Sequence, residues 1–556
     1  MKKAIAKLLA AAIFMALGSL NSASAQDARF EIARFQIEGN SLLSTQRAQE
    51  LVAPFVGSGK TYGDVQKALE ALEGEFRRLG YGTVQVYVPE QELTTGVVRL
   101  QVSEGVVGKV TITGNKYFNE ANVRASLPHL KEGTAPNMRQ LSENIQLTNE
   151  NPAKQLEVTL GVSEEEGKVD VKVEVKEEDP DRVYMTIDNT GTKASGKHRI
   201  GVSYQNANVH NSDQVLTVAY TTAMDAPSGV KVDIYSIGFR LPLYSIGDSI
   251  DFIYGNSSTN TPASVLAVNS PLALNGKGEV IGLRYNHIFP REGEFTSKLV
   301  LGFDYKYMNS RCTTNGSPNP IDPGAPGLTS SCTPYTLRPV TATYSGQWQK
   351  PGEAIDFNLG FIHHLFPMGS RYPFPVGGPS SDRYSFVTTR PGTDTFTALR
   401  LGGSYSAAIT GEWLGRAAFN GQYAQNPLPA GEQIGLAGSG SVRGFLERAV
   451  SADRGYVANL EVYSPDYAGP MGLEGSLKGV VFYDWASGHN IAALATGFAR
   501  ANVASAGIGF RYNLKKDISA RFDLARVIEG HQPLPGTAEA AKPGDIRGHF
   551  GLAFGF

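Results

Sequence analysis

The chain changes character at Asp179-Pro180-Asp181. Upstream, apolar residues recur at helical and strand spacings in turn. Downstream, helical periodicity stops and does not return. The remainder of the chain is a long series of segments of about ten residues that alternate apolar with small or polar side chains. Val215-Leu216-Thr217-Val218-Ala219-Tyr220 and Lys298-Leu299-Val300-Leu301-Gly302-Phe303 are examples, and turn-rich stretches separate them. A β-strand that crosses a bilayer at a tilt needs about 9–11 residues, so the spacing suits transmembrane strands. Phe550, Leu552, Phe554 and Phe556 share one face of the last segment. An exposed aromatic edge strand invites aggregation, so this segment is expected to pair with the first strand of the series and close a barrel. The expectation for 181–556 is an all-β transmembrane barrel of sixteen antiparallel strands, with several long connections. A soluble sandwich or propeller fits less well, because regular blade motifs are missing.

The upstream region carries an internal repeat. In 30–104, Phe30 to Ile37 alternates as a strand and a short helix fits 45–55. A longer helix opens at Thr61, with Val65, Leu69, Leu72, Phe76 and Leu79 on one face, Asp64 in the first turn and Gly80 as the stop. Val84, Val86 and Val88 alternate, as do Val98, Leu100 and Val102. The order strand, helix, helix, strand, strand then recurs, with 109–115 echoing 35–40. Two small α+β domains are expected, at 26–105 and 106–180. Ahead of them, Lys2, Lys3 and Lys7, an apolar stretch and Ala23-Ser24-Ala25 read as a signal peptide over 1–25, which implies export.

Other classes are disfavoured. Net charge is −2 with 19% charged residues and no basic stripe, so a nucleic-acid partner is not expected. No apolar run of about 18 residues follows the N-terminus, so no transmembrane helix is expected in the mature chain. The two cysteines, Cys312 and Cys332, lie in a Pro-, Gly- and Ser-rich stretch. In an oxidising compartment they read as a disulfide closing a surface loop. Neither His-Glu-x-x-His nor Gly-x-Ser-x-Gly occurs. His363 and His364 are adjacent and would face opposite sides of a strand, and Ser487 and His489 are too local to Asp484 to build a triad. There is no phosphate-binding loop, since the glycines at 438–444 lack the following lysine. The chain is read as a non-enzyme without cofactor or metal.

The glycine-rich stretch 435–448 holds one cation between apolar neighbours, Val442-Arg443-Gly444-Phe445. On composition alone it is a flexible loop with a solvated arginine. Downstream, Asp484 interrupts the apolar run Val480-Val481-Phe482-Tyr483-Asp484-Trp485 and offers a partner.

Two exported repeats, a barrel with Val442-Arg443-Gly444-Phe445, and a later Phe482-x-Asp484 together resemble the outer-membrane transporters of two-partner secretion. These are the TpsB proteins, the haemolysin-activator and filamentous-haemagglutinin transporter group. The repeats resemble POTRA domains, and Asn149-Glu150-Asn151-Pro152 is similar to the Asn-x-Asn-Pro stretch of the family's second POTRA domain. The resemblance implies that 442–445 is the tip of the sixth external loop, folded into the lumen, with Arg443 paired to Asp484 on the wall. It implies an outer-membrane pore that takes an unfolded exoprotein from the periplasm by its N-terminal secretion domain. It further implies contact with outer-membrane lipid and insertion by the barrel-assembly machinery. Family members often carry a plug helix before the first repeat; here Phe30 is already strand-like, so none is expected and more of the sealing falls on the sixth loop. The alternative is an assembly insertase of the same superfamily, usually with a different number of repeats.

Overall fold

The computed structural model describes residues 29–92, 96–193, 195–258, 278–309, 334–369, 383–493, 498–515, 517–530 and 541–556. The signal-peptide residues, the question of a plug helix, Cys312 and Cys332 fall outside these residues. The described residues pack as two units: one comprises those up to 109 with 132–138 and 161–170, the other those in 110–131, 139–160 and from 171 onward.

In the first unit, helices Thr45–Val52 and Tyr62–Arg78 accompany a three-stranded sheet in the order Arg34–Glu38, Val97–Ser103, Gln85–Tyr87. The long helix starts where its sequence says: Thr61 and Asp64 form a capping box, with Thr61 N donating to Asp64 Oδ2 at 2.9 Å. Phe35, Leu72, Phe76, Val98 and Leu100 fill the core. One expectation is corrected. Residues 30–37 do not form one strand, because Gly96 O accepts from both Ala33 N (2.7 Å) and Arg34 N (3.3 Å) and the chain pivots there. Phe30–Ile32 instead pairs with Gly57–Lys60, a segment whose glycines hid it from strand periodicity. The expected helix at 45–55 ends at Val52, and Ala53–Phe55 tightens into a 3-10 turn at Pro54.

Glu75 ties the two helices, bonding Arg78 Nε at 2.8 Å and Arg47 Nε at 3.1 Å. These bonds, that of Arg78 foremost, hold its carboxyl down to about 2. Its contribution to stability is therefore complete above the ordinary glutamate value of about 4.3 and lost as pH falls through about 2. Amide exchange on the helix Tyr62–Arg78 should accelerate over that window in the wild type and not in Glu75→Gln.

The second repeat runs strand, helix, helix, strand, strand, without counterparts of Phe30–Ile32 and Gly57–Lys60. Its helices are Glu120–Ser126 and Met138–Asn149, and its sheet runs Val106–Thr113, Lys168–Glu177, Lys154–Val162.

From Asp181–Asp188 onward, sixteen antiparallel strands close into a barrel, with the short Tyr335–Leu337 paired onto Phe295–Met308. Closure is made by Ile546–Gly555 on Asp181–Asp188, with Leu552 opposite Ile187 and Phe554 opposite Met185. Alternation sorts the faces. On Ser476–His489, Val481, Tyr483 and Trp485 are exposed outward while Val480, Phe482 and Asp484 are buried inward. Leu460, Ile508, Phe510 and Leu524 extend the outward apolar belt, as a lipid-facing wall requires. Long connections gather at one end and short turns at the other, and the sixth long connection is 425–453.

Candidate functional site

The sixth long connection enters the lumen as a folded element. Ile434–Gly435 pairs with Ser451–Ala452, and Leu436 N donates to Val450 O at 2.9 Å. Leu436, Ala437, Val442, Phe445 and Val450 pack on the inward residues Val457, Ala486, Val503 and Val527. The loop thus supplies its own apolar core against the wall. Two glycines make this possible. Gly444 has φ of 94°, and a Cβ there would lie 3.3 Å from Val527. Gly488 on the wall faces the loop so closely that a Cβ would meet Leu436 at 2.3 Å.

At the tip, Arg443 is 4% exposed and Asp484 fully buried. The guanidinium grips Asp484 with both arms, Nε to Oδ2 at 2.6 Å and Nη2 to Oδ1 at 2.7 Å. The Arg443 backbone N also donates to Oδ2 at 3.1 Å. The guanidinium lies 3.4 Å from the centre of the Phe482 ring, which explains an aromatic two residues before the acid. Val442 and Phe445 are buried on either side, and Gly444 N donates to His549 Nε2 at 2.9 Å. All six motif residues, Val442 to Phe445 with Phe482 and Asp484, therefore meet at one place.

The pairing is wider than the two motifs alone indicate. Asp484 is not the only acid: Arg443 also meets Glu461 at 3.0 Å and Asp523 at 3.5 Å. Asn459 joins by donating to Asp484 Oδ1 at 2.8 Å and to Ser441 O at 2.9 Å. The pair is also buried, since Glu461, Asp484 and Asp523 are all at most 7% exposed. Glu461, Asp523 and His549 were visible as polar breaks at inward positions of alternating strands, but their convergence depends on register. Asn459 stands opposite Asp484, and Asp523 opposite His549.

The root of the loop is held by a second ion pair that sequence reading missed. Arg390 and Asp453 are buried and paired, with Nη2 to Oδ1 at 3.0 Å. Asp453 also accepts from Leu428 N and Ile491 N, both at 2.8 Å. Three long connections thereby meet on one carboxylate.

The residues Asn149, Asn151 and Pro152 have a separate task. Asn149 fastens the turn after its helix, accepting from Leu156 N at 2.7 Å. Asn151 reaches the barrel, donating to Ala207 O at 2.8 Å, and Pro152 is exposed between them. Glu150 joins Arg240 at 2.9 Å and Lys298 at 3.0 Å. Beside them Lys154 pairs with Asp213, both fully buried, and bonds Asn122 Oδ1 at 2.8 Å. Burial pushes the Lys154 ammonium below its ordinary value, and Asp213 opposes that push. Lys154→Ala leaves Asp213 without its countercharge, a loss of about 3–5 kcal/mol for a buried pair. Faster amide exchange over 151–156 is the expected result; wild-type protection would show that the pair does not hold this junction.

Among the described residues no helix is long and apolar enough to cross a membrane, and no cluster of metal-ligating side chains occurs. The architecture is that of an outer-membrane barrel with an N-terminal POTRA region and a lumenal loop. The POTRA domain model, ShlB-type, matches residues 30–105, and the model for the haemolysin secretion/activation protein ShlB/FhaC/HecB matches 167–316 and 377–512. The chain belongs to this ShlB/FhaC/HecB family of two-partner secretion transporters, and is an outer-membrane protein with its POTRA region in the periplasm. The outer membrane transporter CdiB of Dickeya dadantii (strain 3937) is 22% identical over 434 residues, 77% of this chain and 71% of that protein. The heme/hemopexin transporter protein HuxB of Haemophilus influenzae is 18% identical over 472 residues, 83% and 77% of the two chains. The solved structure of CdiB from Escherichia coli superposes with a TM-score of 0.69 at 17% identity, covering 96% of this chain and 92% of that one.

Proposed function

We propose that the POTRA region captures an exoprotein by its N-terminal secretion domain, and that the sixth loop gates its passage through the barrel. The edge strand Arg34–Glu38, beside the helix Thr45–Val52, suits β-augmentation, which gives affinity through backbone bonds without a strict sequence code. The observation that carries the gating reading is the burial of Arg443 among Asp484, Glu461 and Asp523. A loop held by its tip can be released by a competing chain and can return. The cargo folds outside, and that folding draws the rest through. The outward apolar belt sits in outer-membrane lipid, where the barrel-assembly machinery inserts it. Deleting the gene tests the reading: one exoprotein should vanish from the medium while other outer-membrane barrels keep their levels. A general depletion of barrels would favour an insertase and overturn it.

A further inference from the structure

Among the described residues, two cavities in the lumen have walls that differ in kind. One, of about 690 Å³, touches the sixth loop at residues 431–435 and at Arg448. Its charges are already tied: Arg284 to Asp304 at 2.7 Å, Lys306 to Glu432 at 2.7 Å, and Arg400 to Gln422 at 2.7 Å. A polypeptide passing here would have to displace ion pairs, and its own charges would be caught by whichever partner was freed.

The other cavity, of about 610 Å³, lies against the strands on both sides of the barrel's closure. Thr190 apart, every residue lining it belongs to a wall strand, and none belongs to the sixth loop. On the strands beside the closure most inward positions are short: Thr186, Ser203, Thr221, Asn513 and Ser519 carry small polar groups, while Leu414, Tyr463, Lys478, Arg511 and Arg521 supply the longer side chains of the lining. Gly201, Ala219, Gly551 and Ala553 carry almost nothing. Register places these together, with Thr186 opposite Gly201 and Ala553, and Ser203 opposite Ala219.

We infer that this second cavity is the track along which an extended, unfolded polypeptide crosses the barrel. The inference rests on the secretion reading and names the surface that does the conducting. An extended chain presents one backbone donor and one acceptor per residue, and each needs a partner on the way. A hydroxyl serves as either donor or acceptor by rotating, so a wall of threonine and serine satisfies the backbone without selecting a sequence. Glycine and alanine leave room for cargo side chains of any size. Of the charged lining residues, Arg511 is bound by Asp523 at 2.8 Å, Arg521 and Asp188 flank Gly551 from opposite sides, and Lys478 stands opposite Arg511. A wall that binds every segment weakly and none strongly lets the chain slide.

The test uses the full-length protein and the exoprotein whose secretion depends on it, fused to a fast-folding domain that stalls in transit. A photoreactive diazirine amino acid is placed at Ser203 or Ala219, and at Asn358 or Thr343 in the first cavity. Crosslinks to the stalled cargo at Ser203 and Ala219, with none at Asn358 and Thr343, are expected. Crosslinks mainly at Asn358 and Thr343, equal yields at both sets, or none in the lumen while secretion continues would each overturn the track. Independently, Ala219→Trp should lose secretion and Asn358→Trp keep it, both barrels migrating as folded, heat-modifiable species; the reverse pattern overturns the inference. If no exoprotein depends on the protein, the secretion reading fails at the deletion step and the track falls with it, whereas a wrong track leaves that dependence intact.

Discussion

Arg443→Ala should free the tip of the sixth loop, raise or destabilise the single-channel conductance, and reduce secretion strongly. The substitution strips Asp484 of its cation, whereas Glu461 keeps Arg416 at 3.0 Å and Asp523 keeps Arg511 at 2.8 Å. Breaking a buried pair typically costs about 3–5 kcal/mol, because the remaining charge, here that of the fully buried Asp484, is left uncompensated. Asp484→Ala should be milder, because Arg443 keeps Glu461 and Asp523. That asymmetry is the signature of a network, whereas an isolated pair would give equal effects. The double mutant should fall short of additivity, since removing Asp484 also removes the buried charge that the loss of Arg443 leaves uncompensated. Arg443→Lys should rescue only in part: an ammonium keeps the charge but cannot form the bidentate grip or lie flat on Phe482. Planar-bilayer recordings and a secretion assay on these four variants decide the matter. Strictly additive defects, or full secretion with unchanged conductance in Arg443→Ala, would show that the tip does not gate the pore.

The same site shows what a sequence reveals and what it hides. Arg443 and Asp484 could be paired in advance because each breaks a local pattern, a cation in a glycine run and an acid in an apolar strand. Glu461 and Asp523 break their strands in the same way, yet nothing local says that they face the same point. That depends on the register of Arg454–Tyr463, Ser476–His489, Arg500–Leu514 and Ile518–Glu529 across the wall, a global property of the closed barrel. Arg390 and Asp453 were hidden for a related reason. Both lie in irregular connections, where no periodicity marks a charge as out of place. The helix Tyr62–Arg78 was readable to within a residue, since its cap, its apolar face and its glycine stop all agree. Gly57–Lys60 was not, because a four-residue strand containing two glycines has no alternation to read. The dryness of the lumenal pair was also out of reach. A barrel lumen is polar on average, and only the apolar residues 436, 437, 442, 445 and 450 packed around the tip exclude water there.

Deleting residues 30–104 should abolish secretion while the barrel still inserts and folds. The deletion removes the first sheet with its edge strand Arg34–Glu38 and both covering helices. Among the described residues, Asn137 Nδ2, which donates to Leu79 O at 2.9 Å, and Met138 N, which donates to Gly80 O at 2.7 Å, would turn to water instead. The buried Lys154–Asp213 pair and the bonds from Glu150 to Arg240 and Lys298 lie wholly outside the deleted segment, so the junction of the second repeat with the barrel keeps its anchors. The loop site at Arg443 is likewise untouched. Capture and gating should therefore separate. In the deletion background Arg443→Ala should still alter conductance, because its effect is local to the lumen, although there is no secretion left to reduce. Heat-modifiable migration reports the folded barrel, bilayer recordings report the gate, and exoprotein in the medium reports capture. Secretion at the wild-type level from the deleted protein would place recognition in the second repeat or the barrel itself. Loss of the conductance change on Arg443→Ala in that background would show that the first repeat acts on the gate, not only on the cargo.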